Sequence, residues 1–321
     1  MAVNSSRIVG IIIGTALASA LAFSILVLLP SLSARAGQVA MAVEFNDHSA
    51  AAWIALDKGW FEEEGLNVMM LETFTTGLEL SAALTRGDVD VAWACLGPLI
   101  LARAQGAPIV VVAQAHLHGY AIVGRPGVRD VGQLNGGVVA CPGTGSPSYL
   151  LLRMAIDAYG LNVTIRNMKP AAILNSLITG QIDAAALPEH HVTLAVKRGN
   201  CTVLLRSQDV WPEMPGSFLV VKKELLEKRP ELVVKLVKAT VRATAFINEE
   251  PQEAAEIVAK RLGITFEEAL ESMKWLCYNN KIDMAQVEKY VELMTKYGII
   301  DRPIDVGDFV DTSILSRVLG G

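Results

Sequence analysis

Cysteine, positive charge and repetition are all scarce in this sequence, and each scarcity removes a class of function. Four cysteines occur among 321 residues: Cys95, Cys141, Cys201 and Cys277. None lies in a C-x-x-C pair, so neither a zinc ribbon nor a dithiol redox centre is encoded. In an exported chain they could pair in three ways or remain as small buried thiols, and both outcomes stay open. Lysine and arginine number 28 against 33 acids, for a net charge of −5. Phosphate backbones call for a basic face, so nucleic acid is not an expected partner. There is no run of like charges, no low-complexity tract and no short repeat. Catalytic signatures are missing as well: no H-E-x-x-H helix, no G-x-S-x-G elbow, and no Gly-Lys-Ser/Thr ending on the glycine-rich turn at 143–145. His116, His118 and the adjacent His190 and His191 do not fit metal-ligand spacing, since neighbouring side chains point apart. No catalytic residue, metal or cofactor is expected.

What the chain does have is apolar mass, 52% of all residues. Much of it lies in Ile8–Leu29, an uncharged run preceded by Arg7. At ~1.5 Å per residue a helix of that length crosses a ~30 Å hydrocarbon core. Residues 1–36 are read as a signal peptide or a membrane anchor. Ala34-Arg35-Ala36 offers a cleavage site, while the apolar run exceeds the usual ~7–15 residues of a signal core. Both readings send the rest of the chain out of the cytoplasm.

Beyond residue 37, short apolar runs alternate with amphipathic stretches, the pattern of an α/β fold with a largely parallel sheet. Strands are expected at Gln38–Phe45, Leu66–Leu71, Val89–Trp93, Pro108–Ala113 and Ala121–Gly124. Ser49 is expected to cap a helix ending at Gly59, and another helix spans Gly77–Arg86. A second series follows, with strands at Gly137–Ala140, Ala184–Leu187 and Thr202–Leu205 and helices at Ser148–Tyr159 and Ala171–Thr179. Ser217–Val221 returns in extended form, and the chain from Pro230 is mainly helical. Thr265 and Glu268 form a capping box, and Asp283 caps the helix that runs to Gly298. The expected organisation is lobe 1 from residues 38–124 and 219–321, with lobe 2 (125–218) inserted and a hinge at the two connections, near Arg125 and near Ser217.

Ligands of open α/β sheets bind beyond the carboxyl ends of the strands. The segment from Val138 to Ser148 reads as strand, glycine-rich turn and helix start. Gly143, Thr144, Gly145 and Ser146 therefore offer converging N–H groups and hydroxyls to a small oxyanion. Facing candidates lie in loops at other strand ends. These are Asn46, Asp47 and His48; Thr75, Thr76 and Gly77; Trp93, Cys95 and Gly97; His116; and Glu189 with His190.

Several of these segments carry a resemblance. His48–Val68, with Ala55, Lys58-Gly59, Phe61 and Glu64-Gly65-Leu66, resembles the opening signature of the nitrate/taurine/sulfonate and thiamine-precursor group of ABC substrate-binding proteins. Leu84–Val91, Ala102 with Gly106 and Pro108, Leu134–Gly136, the Gly-Thr-Gly-Ser turn, Gly180–Ala184 and Pro230–Val233 are similar to the same group. The similarity spans about residues 38–263. It implies a two-lobed type II periplasmic-binding-protein fold with a hinge, preceded here by an N-terminal hydrophobic helix. It also implies capture of a small polar or anionic ligand, a permease and its ATPase as partners, and a monomer. The resemblance leaves two alternatives open: a binder of a thiamine pyrimidine precursor, and a same-fold enzyme resembling chorismate dehydratases. The repeated Gly-x-x-Asp turns, Gly87/Asp90 and Gly180/Asp183, are expected to be structural.

Overall fold

The computed structural model describes residues 38–320, so the expected leader or anchor at 1–36 lies outside the described residues. No helix among the described residues is long and apolar enough to cross a membrane. Twelve strands are present among them: β1 (Gln38–Glu44), β2 (Asn67–Phe74), β3 (Val91–Cys95), β4 (Ile109–Gln114), β5 (His116–His118), β6 (Tyr120–Gly124), β7 (Val138–Cys141), β8 (Thr164–Asn167), β9 (Ala184–Pro188), β10 (Thr202–Arg206), β11 (Ser217–Lys222) and β12 (Leu276–Tyr278). They form two five-stranded sheets, ordered β2-β1-β3-β11-β4 and β10-β6-β9-β7-β8, and a small β12-β5 ribbon. β3, β4 and β9 are buried along their whole length. Helices cover both faces of such strands, which is why they read as unbroken apolar runs.

The sheets are mixed rather than largely parallel. β1 pairs with β3, and β7 with β8 and β9, in parallel. β11 runs antiparallel to β3 and β4, and β6 antiparallel to β9 and β10. β6 and β11 are the strands that arrive from the other sheet. Each enters where the preceding sheet ended, without the helical crossover that parallel pairing requires. The strand at Ala121–Gly124, expected to close lobe 1, therefore hydrogen-bonds into the second sheet. The chain passes between the sheets near residues 115–119, ahead of Arg125.

Local signals account for most boundaries. Thr76 caps Gly77–Arg86 by accepting from the Glu79 N–H, and Gly87 closes that helix in the left-handed region. Thr265 and Glu268 form the expected reciprocal box, and Asp283 accepts from the Ala285 N–H. Ser49 makes no cap; its hydroxyl donates back to the Glu44 carbonyl, and the 3-10 turn Asp47–Ser49 leads into Ala50–Asp57. The Gly-x-x-Asp turns do the same work in both sheets. Asp90 accepts from the Ala40 N–H and pairs with Lys222. Asp183 accepts from the Val138 N–H and pairs with Arg125. Each acid ties the turn to the start of the neighbouring parallel strand.

The carboxyl-terminal helices finish both halves. Pro230–Glu249 and Pro251–Leu262 pack Val233, Leu236, Val237 and Val258 against Trp53 and Trp93 on one face of the first sheet. Met284–Lys296 contributes Tyr290 and Met294 to a core that also holds Ala42 and Leu80 beside Ile122 and Leu150, residues of both sheets and their helices. Phe266–Met273 docks on Glu189–Gly199, where Arg198 forks onto Glu268 at 2.6 and 2.5 Å.

Candidate ligand site

Parallel strands deliver their carboxyl ends to one place, and the helix after each strand begins there. The consequence is a cavity of about 30 Å3, room for one or two waters. Its lining draws on strand ends of both sheets: Glu44, Asn46 and Cys95 from the first, Pro142 and Pro188 from the second. Five helices begin at it. Thr76, Gly77 and Leu78 open Gly77–Arg86, Cys95 precedes Leu96–Ala104, Ser146 precedes Pro147–Tyr159, Pro170 opens Pro170–Ile178, and Pro188 precedes Glu189–Gly199. The first-turn N–H groups of a helix have no partner within it, and its amino end carries roughly half a positive charge. Here the N–H groups of Glu79, Leu96 and Tyr149 are taken up by Thr76, the Gly216 carbonyl and Ser146. No lysine, arginine or histidine lines the cavity.

Six of the residues expected from sequence line it: Asn46, Thr75, Thr76, Gly77, Cys95 and Ser146. Ser146 is tied twice, donating to the Gly143 carbonyl (2.7 Å) and accepting from the Tyr149 N–H (3.1 Å). Ser146→Ala removes both bonds, so a stability loss of about 1 kcal/mol is expected in urea titration. Gly77 lies against Glu44: a Cβ there would stand 2.2 Å from Glu44 Oε1, so only glycine lets the helix begin so close.

The remaining expected residues lie around the cavity and not in its lining. Trp93 is a core side chain. Thr144 faces solvent. Gly143 and Gly145 shape the turn, with φ of +141° and +96°. Gly97 sits against that turn, where an added Cβ would be 2.4 Å from the Gly145 carbonyl oxygen. Asp47, His48, His116, Glu189 and His190 are all buried. The loops expected after β3 and β9 are mostly helix: Leu96–Ala104 and Glu189–Gly199 start directly at the strand ends.

Sequence reading missed Glu44 and Tyr120. Glu44 is 3% exposed and its carboxylate accepts from the Cys95 N–H (2.8 Å), the Cys95 thiol (3.1 Å) and the Asn46 amide (3.1 Å). Burial nevertheless raises its pKa above the ordinary 4.5, the hydrogen bonds from Cys95 and Asn46 offsetting only part. Tyr120 donates its hydroxyl to Cys95 Sγ (3.1 Å). His48 Nδ1 lies 3.8 Å from the same sulfur, while its Nε2 is 3.0 Å from the Gly119 carbonyl. A carbonyl only accepts, so Nε2 carries the proton and Nδ1 does not. Burial drives the Cys95 thiol well up and the His48 imidazole well down, so a thiolate–imidazolium pair is disfavoured on both sides. The four cysteines are free, three of them buried and Cys277 exposed. Among the described residues no group of three or more His, Cys, Asp or Glu side chains is arranged to hold a metal.

A second buried cluster adjoins the first. Asp47 Oδ1 lies 3.8 Å from His48 Nε2 and 3.9 Å from His190 Nδ1, and neither carboxylate oxygen has a well-formed hydrogen bond. Burial pushes Asp47 up to about 6. Glu189 accepts from Thr193 (3.0 Å) and pairs with Arg206 (2.8 Å), whose guanidinium stacks 3.3 Å from the Trp275 ring centroid. Burial outweighs the cation there as well, and Glu189 rises to about 8.

The whole arrangement has relatives. Residues 34–263 match the model of the NMT1-like family. This chain belongs to that family. Its membership places it with the ABC-transporter substrate-binding proteins of the nitrate, taurine and sulfonate group that the motifs resemble. A putative aliphatic sulfonates-binding protein of Bacillus subtilis is 25% identical over 282 residues, covering 83% of this chain and 84% of that protein. A taurine-binding periplasmic protein of Escherichia coli is 28% identical over 227 residues, covering 68% and 70%. Among solved structures, the ligand-binding component of an ABC-type import system from Staphylococcus aureus superposes with a TM-score of 0.79. It is 20% identical and covers 88% of this chain and 98% of its own. The NMT1-like chain thus has the α/β fold of periplasmic binding proteins.

Proposed function

We propose that this NMT1-like protein is the extracytoplasmic substrate-binding component of an ABC importer, and that it captures a small polar or anionic ligand of sulfonate or nitrate type. The ligand enters where this cavity lies, in a cleft between two lobes hinged at the two segments that join the sheets. The cavity, which has room for one or two waters as it stands, widens to hold it. The closed form docks on a permease whose ATPase supplies the energy. The protein acts as a monomer outside the cytoplasm, held at or released from the membrane according to the fate of residues 1–36, and it catalyses no reaction. The observation that carries this reading is the meeting of five helix amino ends with the hydroxyls of Thr75, Thr76 and Ser148 around one cavity. Such ends hold an oxyanion without a formal cation. The sulfonate- and taurine-binding relatives agree with a ligand of this class.

A thermal-shift screen of the full-length chain against taurine, alkanesulfonates, nitrate, bicarbonate, pyrimidine precursors and flavins tests it. A ligand at ~100 times its Kd adds about 2.7 kcal/mol to the native state. One oxyanion should raise the transition sharply. Silence across the oxyanions, or a response to flavin alone, would overturn the reading.

A further inference from the structure

Two side chains in the cavity are wrong for a simple anion. Glu44 places a buried carboxylate in the lining, and no lysine, arginine or histidine lies there to balance it. Asn46 is 5% exposed and also lines the cavity. Its amide nitrogen is committed to Glu44 Oε2 at 3.1 Å, because the carboxylate accepts and repels the carbonyl end. That commitment leaves Asn46 Oδ1 buried with no hydrogen-bond partner in the protein. An unsatisfied acceptor beside an unbalanced carboxylate asks for the same thing, a ligand N–H carrying positive charge. Nitrate or an alkanesulfonate offers neither group a donor. Across the cavity the requirement reverses: the hydroxyls of Thr75, Thr76 and Ser148 and the helix amino ends present donors, while the Ser146 proton is held by the Gly143 carbonyl.

We propose that Glu44 and Asn46 form an amine-reading subsite, so that the ligand is a short zwitterion with a protonated nitrogen at one end and an oxyanion at the other. This rests on the proposed ligand-capture role and narrows its substrate class. The ligand ammonium supplies the counter-charge that Glu44 lacks and donates to Asn46 Oδ1, while its acid group faces the helix amino ends. The pKa of Glu44 agrees: burial raises it, and no neighbouring cation draws it back down.

Calorimetry with matched pairs that differ only in the amine is the test. The pairs are taurine and ethanesulfonate, 2-aminoethylphosphonate and ethylphosphonate, and β-alanine and propionate, with ethylamine as the cation alone. In the full-length chain, the amine-bearing member of the best pair is expected to bind about thirtyfold tighter or more. Glu44→Gln, which keeps shape and the bond from the Cys95 N–H, is expected to erase that preference and leave the amine-free acid bound at least as well as before. Equal or tighter binding of the amine-free acids to the native protein overturns the proposal while leaving oxyanion capture in place. Ethylamine binding as tightly as taurine overturns the two-ended ligand. Silence from every compound overturns this proposal, and the capture role beneath it is then decided by the wider oxyanion screen. The native comparison decides the matter even if the Glu44 variant does not fold.

Discussion

Gly97→Ala is expected to weaken ligand capture roughly 5- to 150-fold while leaving the unliganded protein folded. The new methyl would stand 2.4 Å from the Gly145 carbonyl oxygen and 3.1 Å from the Tyr290 hydroxyl. No side-chain rotation relieves the first contact, because the obstacle is backbone. That backbone is also stiff in its choices: Gly143 and Gly145 both have positive φ, held by the Ser146 bond to the Gly143 carbonyl. Gly145 is hemmed in as well, since a Cβ there would meet Leu101, Leu78 and Ile299 at 3.1, 3.6 and 3.8 Å. The remaining escape is for the helix Leu96–Ala104 and the turn after β7 to separate, which is the opening of the proposed cleft. Overpacking costs about 1–3 kcal/mol, which shifts an open–closed equilibrium roughly 5- to 150-fold. Calorimetry should show that loss of affinity, and small-angle scattering a larger radius in the presence of ligand. Native affinity in the variant would mean that the two elements do not need to touch for binding.

Much of the fold was legible because its elements carry their own punctuation. Gly77–Arg86 is bounded by Thr76 and Gly87, and the box of Thr265 and Glu268 marks its helix without tertiary help. What escaped was set by pairing across the molecule. β5, β8 and β12 are three or four residues long, too short for a period to show. β6 and β11 read as ordinary strands, yet their direction and sheet follow from where the chain crosses. The helices Leu96–Ala104 and Glu189–Gly199 hide their starts behind Pro98 and an apolar strand end, with no side-chain cap at either.

The site was legible in outline for a similar reason. Strand ends and glycine-rich turns locate the cavity, so Asn46, Thr75, Thr76, Gly77, Cys95 and Ser146 were within reach. Glu44 carried a signal that a loop-centred reading passes over: it is the one charged residue in Gln38–Glu44, at the last position of a strand whose residues Val39 and Met41–Val43 are otherwise buried. A lone acid at the carboxyl end of a parallel strand is where a ligand would meet it. Asp47 and His190 lie one layer deeper, and His48 reaches the site through its contacts with Cys95 and Tyr120.

That deeper layer yields the second large effect. Asp47→Asn is expected to stabilise the protein at neutral and alkaline pH by up to about 3 kcal/mol and to change nothing below about pH 3.5. Burial raises Asp47 from the ordinary 3.8 to about 6. Below pH 3.8 the carboxyl is protonated in both folded and unfolded chains, so ionisation costs nothing. Between 3.8 and about 6 the unfolded chain gives up its proton first, and native stability falls as pH rises through that window. Above about 6 the full cost is present and constant. The histidines act with the opposite sign: burial lowers His116 to about 3 and His191 to about 4, so their contribution holds above pH 6.5 and is lost as pH falls. The difference between variant and native protein isolates Asp47 from them. Glu189 adds in the same direction, because the Asp47 charge helps to hold it up near 8. Asparagine keeps the shape and sets a neutral amide near His190 Nδ1, which lies 3.9 Å from Asp47 Oδ1 and has no hydrogen-bond partner in the native protein. Urea titrations at half-unit steps from pH 3.5 to 8 would show the two stability curves meeting at the acid end and diverging through pH 6. Parallel curves would mean that Asp47 ionises as freely in the folded protein as in the unfolded chain, and that the unsatisfied carboxylate beneath the site carries no cost.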